Sequence, residues 1–192
     1  NRLRNISPEQ DVSQERINEE IKKMFDYSLS HNDIKSWQYY LELLFEYNMW
    51  DEMYPNVKIS KKVQNNDILN LLIFYTLLFS ENIIDIKFQN KMVKDFKLPS
   101  KIADSVFFLN NFLNMYHNID SVIYLKKLQN RYSIPDDLIR LYSNEVGIDN
   151  KYVEAFIKFN FSIDGNDLMK LGFKGAELGK EINKREVGLF NH

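Results

Sequence analysis

Glycine is absent from the first three quarters of this chain, and this feature constrains the fold more than any other. The 192 residues include six glycines, and the first of them is Gly147. A sheet-rich fold needs turn residues along its whole length, whereas helices can be joined by Asn, Asp and Ser. We therefore predict an all-α protein without a sheet, in which the glycine-rich C-terminal segment differs from the rest.

The composition excludes several classes of protein. Cysteine is absent, which removes disulfide frameworks, thiolate zinc sites and cysteine nucleophiles. The three histidines are far apart, so we expect no metal site. The longest apolar run, residues 68–79, is shorter than the roughly 20 residues of a membrane span. We expect a cytoplasmic protein that does not bind a membrane, and the start without Met suggests a fragment.

Apolar spacing and turn residues predict three parts. Residues 1–30 form a helical segment, residues 31–147 form a multi-helix body, and residues 148–192 form a tail with a helix, a tight turn and a second helix. Within the body we predict a central buried helix over 68–80 and a more polar helix over 81–96.

Polar residues in front of apolar stripes mark where helices begin, and one glycine marks where a helix ends. The predicted N-caps are Ser13, Asp33, Asp67, Asp120 and Asp149. In the tail, Asp164 or Asn166 caps a short helix. Gly147 is the predicted residue after a helix C-terminus.

The tail turn carries the most chemical information. Gly172 permits a positive φ and closes the short helix, and Gly175 leaves the first backbone N–H groups of the next helix uncovered. Those amides, the helix dipole and Lys170, Lys174 and Lys180 would attract an anion such as a nucleic-acid phosphate. The alternative is an ordinary helix hairpin in which glycine allows close packing.

Lysine is clustered in two further places. Five lysines stand between residues 87 and 101 against one Asp, and a second cluster comprises Lys126, Lys127 and Arg131. Such runs are typical of a solvated helix face, and they are also what a phosphate-binding surface requires.

Three stretches resemble a known family. Residues 163–179, IDGNDLMKLGFKGAELG, resemble the C-terminal signature I-x-G-x-D-L-M-x-x-G-x-x-x-G-x-x-I-G of the class II tRNA nucleotidyltransferases, the CCA-adding enzymes. The chain has one residue fewer between the central glycines and lacks the Pro that often follows. Residues 12–20, VSQERINEE, are similar to the neck motif S-x-E-R-I-x-x-E. Residues 40–55 are similar to the body segment that ends in L-F-P.

The resemblance implies an enzyme of four parts, head, neck, body and tail, that transfers CMP and AMP to the tRNA 3′ end and uses Mg²⁺, CTP and ATP. The head carries a Gly-Gly or Gly-Ser motif and paired carboxylates written D-x-D. This sequence contains neither. It therefore resembles the end of the neck with the body and tail, and we expect no catalysis, no catalytic residue and no cofactor in this chain alone.

The resemblance also implies the site residues. Glu15 and Arg16 match the neck motif that braces the nucleotide-selecting helix, although a surface helical Arg is an equal interpretation of Arg16. In the tail, the implied RNA contacts are Lys170, Gly172, Lys174, Gly175, Gly179 and Lys180. In the body, weaker candidates along the acceptor and T stems are Lys91, Lys94, Lys97 and Lys101.

We therefore expect the tRNA-binding C-terminal part of a CCA-adding enzyme, which positions the acceptor and T arm for the missing N-terminal head and neck region. A bacterial poly(A) polymerase resembles the same family in head and neck. The alternative from another class is a helical protein-interaction scaffold that binds no nucleic acid. A free-standing enzyme would need a catalytic constellation that the sequence does not contain.

Overall fold

A computed structural model describes residues 13–64, 70–116, 119–159, 165–170 and 172–190. Within these ranges the regular structure is helical and no strand occurs, which confirms the predicted all-α fold. The chain divides into two compact units, Asn1–Val106 and Phe107–His192. None of the described helices is long and apolar enough to cross a lipid bilayer.

The first unit consists of short helices that follow one another closely. They are α1 (Gln14–Ser30), α2 (Ile34–Glu46), α3 (Met49–Met53), a 3-10 helix (Lys61–Gln64), α4 (Leu71–Leu78), α5 (Ile86–Lys94) and the first half of α6 (Ser100–Met115).

Two of the predicted N-caps begin helices in this unit. The Oγ of Ser13 accepts a hydrogen bond from the Arg16 amide at 3.4 Å, and Oδ1 of Asp33 accepts one from the Ser36 amide at 3.2 Å. Each cap satisfies a donor that the first turn of a helix leaves without an intrahelical partner.

The predicted helix over 68–80 is shorter in the structure. The described part of α4 begins after Asn70, whose Oδ1 accepts from the amides of Leu72 and Ile73 at 2.9 and 3.4 Å. The predicted cap Asp67 lies outside the described residues. The burial prediction is confirmed, since every residue from Ile73 to Leu78 is buried.

The predicted helix over 81–96 is wrong at its start. α5 begins only after Asp85, whose Oδ1 accepts from the Phe88 amide at 2.8 Å. Asn82 lies in a turn because its side chain pairs with the backbone of Lys58, accepting from its amide at 3.1 Å and donating to its carbonyl at 2.7 Å. This tertiary contact replaces the first turn of the expected helix.

Aromatic rings fill the core of the first unit around α4. The ring of Phe74 lies edge-on to Trp37 at 5.1 Å between centroids, and Trp37 lies edge-on to Phe25 at 5.2 Å. Tyr54 contacts Phe96 in the same way at 5.2 Å. Such edge-to-face pairs are favourable beyond the apolar area that they bury.

The described part of the second unit contains the rest of α6 and five further helices. They are α7 (Ile119–Tyr132), α8 (Asp136–Val146), α9 (Asn150–Lys158), α10 (Gly165–Lys170) and α11 (Gly175–Phe190). α11 packs against both α10 and α7. Phe112 and Phe156 meet at 4.9 Å in the core of this unit.

Local signals again mark most of the boundaries. Gly147 ends α8 with φ of +75°, and Oδ1 of Asp149 accepts from the Lys151 amide at 2.9 Å to begin α9. Asp120 is not the cap expected of it, since α7 already includes Ile119. Likewise Asn166 lies inside α10, which begins at Gly165, and Asp164 lies outside the described residues.

Candidate nucleic-acid interface

The positive φ predicted for Gly172 is present in the tail turn, and Gly175 has a positive φ that the sequence analysis did not predict. Gly172 and Gly175 have φ of +97° and +52°. The amides of Gly172 and Phe173 donate to the carbonyls of Met169 and Leu168 at 3.0 and 3.2 Å and close α10. The Lys174 carbonyl then accepts from the amides of Glu177 and Leu178 as α11 begins.

Gly172 and Gly175 at the turn and Gly179 within α11 have no close neighbour among the described residues. A Cβ added at Gly172, Gly175 or Gly179 would meet no heavy atom of the described residues within 4 Å. Close packing at these glycines is not seen among the described residues. Positive φ accounts for Gly172 and Gly175, because L residues with a Cβ adopt it only at a cost.

Gly179 has no such explanation. It lies in the interior of α11, its φ is not positive, and it is exposed. A glycine in an exposed helix interior costs about 1 kcal/mol relative to alanine. Among the described residues no contact offsets this cost.

The lysines of the tail surround this surface. Lys170 ends α10, Lys174 immediately precedes α11, and Lys180 lies in its second turn; all three are exposed. The exposed Glu177 lies three residues before Lys180, so the surface of α11 carries both signs of charge. The net positive charge is concentrated at the turn itself.

The candidate lysines of the body lie on either side of a helix junction in the first unit. Lys91 and Lys94 occupy the last turn of α5, and Lys101 the first turn of α6. Lys97 lies between the helices with φ of +52°. Lys94, Lys97 and Lys101 are exposed, whereas Lys91 is half-buried with its Nζ 5.2 Å from the centroid of the Phe96 ring.

Lys97 and Glu15, which were predicted separately, lie close together in the structure. Both line a groove of about 230 Å³ in the first unit. Its apolar lining consists of Leu71, Leu98, Pro99 and Ile102. Arg16 does not line this groove and lies exposed on α1. The pKa of Glu20 is lowered mainly by Lys23, and the charge of Arg16 lowers it further. These observations favour the surface interpretation of Arg16.

A buried network of hydrogen bonds adjoins the same groove. Nδ2 of Asn18 donates to the Phe96 carbonyl at 2.6 Å, and Oδ1 of Asn18 accepts from the Tyr54 hydroxyl at 2.8 Å. The Tyr54 hydroxyl is also hydrogen-bonded to that of Tyr75, and burial raises the pKa of both phenols. Asn18 thus fixes the backbone immediately before Lys97. This role of Asn18 was not predicted from the sequence, although Asn18 stands on the same helical stripe as Ile21 and Phe25.

Lys126 does not belong to the surface cluster in which the sequence placed it. It is buried, its Nζ donates to Oε1 of Gln129 at 3.0 Å and to the Ile157 carbonyl at 3.1 Å, and it lies 4.6 Å from the centroid of the Phe156 ring. Burial lowers the pKa of this ammonium. Because Ile157 is in the last turn of α9, Lys126 places a positive charge at the negative end of that helix dipole.

The described residues contain no group of three or more His, Asp or Glu side chains that could hold a metal ion. The resemblance places the Mg²⁺ in the head domain and not in the residues of this chain.

Comparison with known proteins yields no relative. No protein-family model, no curated protein and no solved structure matches this chain.

Proposed function

We propose that this chain is the tRNA-binding part of a CCA-adding tRNA nucleotidyltransferase and holds the acceptor and T arm for a catalytic head outside the chain. The observation that carries the proposal is the tail surface, in which three glycines have no close neighbour among the described residues and stand near exposed lysines in the sequence. The resemblance of residues 163–179 to the family signature suggests the kind of protein. Contact with RNA at the tail surface would give a physical reason for the glycines there.

Backbone and lysine contacts suit a folded RNA duplex. The minor groove of an A-form helix is recognised by its shape and its phosphates, without a pocket that reads base edges. The N-terminus of α11 offers backbone amides and a positive dipole end, and Lys174 stands beside it. A bare helix face at Gly179 would allow the sugar-phosphate backbone to approach closely.

The exposed body lysines would add a second electrostatic contact. Lys94, Lys97 and Lys101 belong to one helix junction and are exposed. Each phosphate that they neutralise would release counterions, so binding should weaken steeply with salt. Lys91, half-buried over Phe96, is the least suited of the four.

The test is a titration of the whole chain with tRNA and with an acceptor hairpin that lacks the T loop, at low and raised salt. We expect tRNA to bind more tightly than the hairpin. Lys174→Glu should weaken tRNA binding and lower the log–log salt slope by about 1. Lys35→Glu is the matched control, since Lys35 is an exposed lysine on α2 and the charge change is the same. Equal effects of the two variants, or equal affinity for a random DNA duplex, would refute the proposal.

A protein-interaction scaffold is the second candidate, and the groove beside Glu15 favours it. The groove has an apolar lining between α1, α4 and the start of α6, with the charged side chains of Glu15, Glu19, Lys22 and Lys97 also lining it. This arrangement suits an amphipathic helix of a partner. On this hypothesis Lys174→Glu leaves tRNA binding unchanged, whereas Ile102→Glu abolishes binding of the partner helix.

A further inference from the structure

The backbone of Lys58 is paired on one side only. Oδ1 of Asn82 accepts a hydrogen bond from the Lys58 amide at 3.1 Å, and Nδ2 of Asn82 donates to the Lys58 carbonyl at 2.7 Å. One side-chain amide can reach both groups only where they point to the same side of the chain, as they do in an extended residue. The side chain of Asn82 therefore takes the place of a paired neighbouring segment.

The opposite side of Lys58 carries two backbone groups without a partner. Across a planar trans peptide the C=O and N–H groups point in opposite directions, and no described peptide bond is cis. The Val57 carbonyl and the Ile59 amide therefore point away from Asn82, and we call this acceptor and donor the open edge. Neither group takes part in a hydrogen bond among the described residues.

The open edge borders a cavity of about 390 Å³ in the first unit. Where Lys58 is extended, the side chains of Val57 and Ile59 lie on one face of the segment and that of Lys58 on the other. All three residues line the cavity, whereas Asn82 does not. The cavity therefore lies along the edge that Asn82 leaves unpaired.

The cavity also offers apolar surface. Phe45 and Trp50, whose ring centroids are 5.7 Å apart, line it together with Val57 and Ile59. An apolar side chain that enters the cavity would be removed from water, and this burial favours binding.

The charges that line the cavity cancel. Two ammonium groups stand against two carboxylates, namely Lys58 and Lys61 against Asp51 and Glu81. None of the four forms an ion pair within the described part of the chain. The carboxylates would repel the phosphates of a nucleic acid, whereas a peptide can carry both signs of charge, so the lining favours a polypeptide over a polyanion.

We infer that an extended peptide segment of a partner protein binds along residues 57–59. One of its amides donates to the Val57 carbonyl, one of its carbonyls accepts from the Ile59 amide, and one apolar side chain enters the cavity beside Trp50. Main-chain pairing with an unpaired edge is a recurring mode of peptide recognition. The inference goes beyond the proposed function, which concerns RNA contacts of the tail and of the junction between α5 and α6.

Selection of peptides on the whole chain, from a library of random seven-residue sequences, provides the first test. We expect enriched peptides in which apolar and polar residues alternate, because successive side chains of an extended peptide point to opposite faces. N-methylation of alternate amides in an enriched peptide should abolish binding in one register and preserve it in the other, since only one edge of the peptide is paired.

A proline substitution tests the open edge within the chain. Ile59→Pro removes an amide that has no partner among the described residues, and the extended Lys58 before it is compatible with proline, so the fold should be retained. Ile59→Val is the matched control, since it keeps the amide and has a side chain close to proline in size. We expect Ile59→Pro to weaken peptide binding by about tenfold relative to Ile59→Val, as loss of one hydrogen bond predicts.

Hydrogen exchange of single amides gives a readout in the native chain. We expect the Ile59 amide to exchange rapidly in the free chain and to become protected when a selected peptide is bound. The Lys58 amide, which already donates to Asn82, should exchange at the same rate in both states.

Lys174→Glu should leave peptide binding unchanged and Ile59→Pro should leave tRNA binding unchanged, so failure of the proposed function and failure of this inference are distinguishable. The inference would be overturned if no peptide is enriched, or if Ile59→Pro and Ile59→Val bind the selected peptides equally well. Protection of the Ile59 amide by RNA, or by self-association of the chain without peptide, would also overturn it.

Discussion

Replacing Gly179 with alanine is expected to stabilise the protein and, on the proposed function, to weaken tRNA binding. The added Cβ meets no heavy atom of the described chain within 4 Å and the φ is not positive, so alanine fits without strain. The gain in helix propensity is about 1 kcal/mol. For a chain of this size it corresponds to a rise of about 2 to 4 °C in Tm.

Two other glycines supply the contrast. Gly172→Ala has the same open space but a φ of +97°, so it should cost at least about 1 kcal/mol of folding stability. Gly147→Ala, with φ of +75° at the end of α8, should be destabilising to a similar extent. Because Gly147 is outside the candidate interface, its replacement should leave tRNA affinity unchanged.

The assay combines thermal unfolding with tRNA titration of all three variants. We expect Gly179→Ala to raise Tm while lowering tRNA affinity severalfold, because the methyl group holds the phosphate backbone away from the helix. A Gly179→Ala chain that gains stability and binds tRNA as well as the native protein would refute the close approach at this position. A loss of stability would refute the open space itself.

Three further predictions concern the buried network and two charged groups. Tyr54→Phe leaves Oδ1 of Asn18 without its donor and should lower the free energy of unfolding, measured in urea, by about 1 to 3 kcal/mol. An unchanged free energy of unfolding would show that this hydrogen bond does not stabilise the fold. Burial lowers the folded pKa of Lys126 below 10.5, so the unfolded chain holds more protons and stability should rise with pH as it approaches 10.5. Lys126→Met should lack this rise, and parallel pH profiles of the two chains would contradict it. The hydrogen bond from Arg140 lowers the pKa of Glu154, so its stabilising effect is present above the unfolded value of 4.5 and lost as pH falls through the folded value. Glu154→Gln should therefore destabilise the protein at pH 7 and converge with it in acid, and a constant difference would count against the pairing.

Local signals made much of the fold predictable. Ser13, Asp33 and Asp149 act on amides two or three residues away, and the positive φ of Gly147 is a property of one turn, so sequence spacing was sufficient to find them. The start of α5 was not predictable, because the turn before it depends on a contact between Asn82 and the backbone of Lys58, 24 residues earlier.

The candidate site was predictable only in part. The turn at Gly172 follows from its residues, whereas the surroundings of Gly179 depend on how distant parts of the chain pack and could not be predicted from the sequence. The burial of Lys126 did have a sequence signal, since it stands on the helical stripe of Val122 and Gln129, both buried. Lys126 was nevertheless predicted to be exposed, because it is a charged residue beside Lys127.

The hydrogen bond from Asn18 to the Phe96 carbonyl predicts which mutations a genetic screen would recover. Asn18 anchors the backbone on which Lys97 stands, yet it is buried and could touch no RNA. A random-mutagenesis screen for loss of RNA binding should therefore recover changes at Asn18 together with changes at surface lysines. Thermal unfolding of the recovered variants would separate the two groups, because only the Asn18 variants would have a lowered Tm. An allele at this position would therefore be temperature-sensitive.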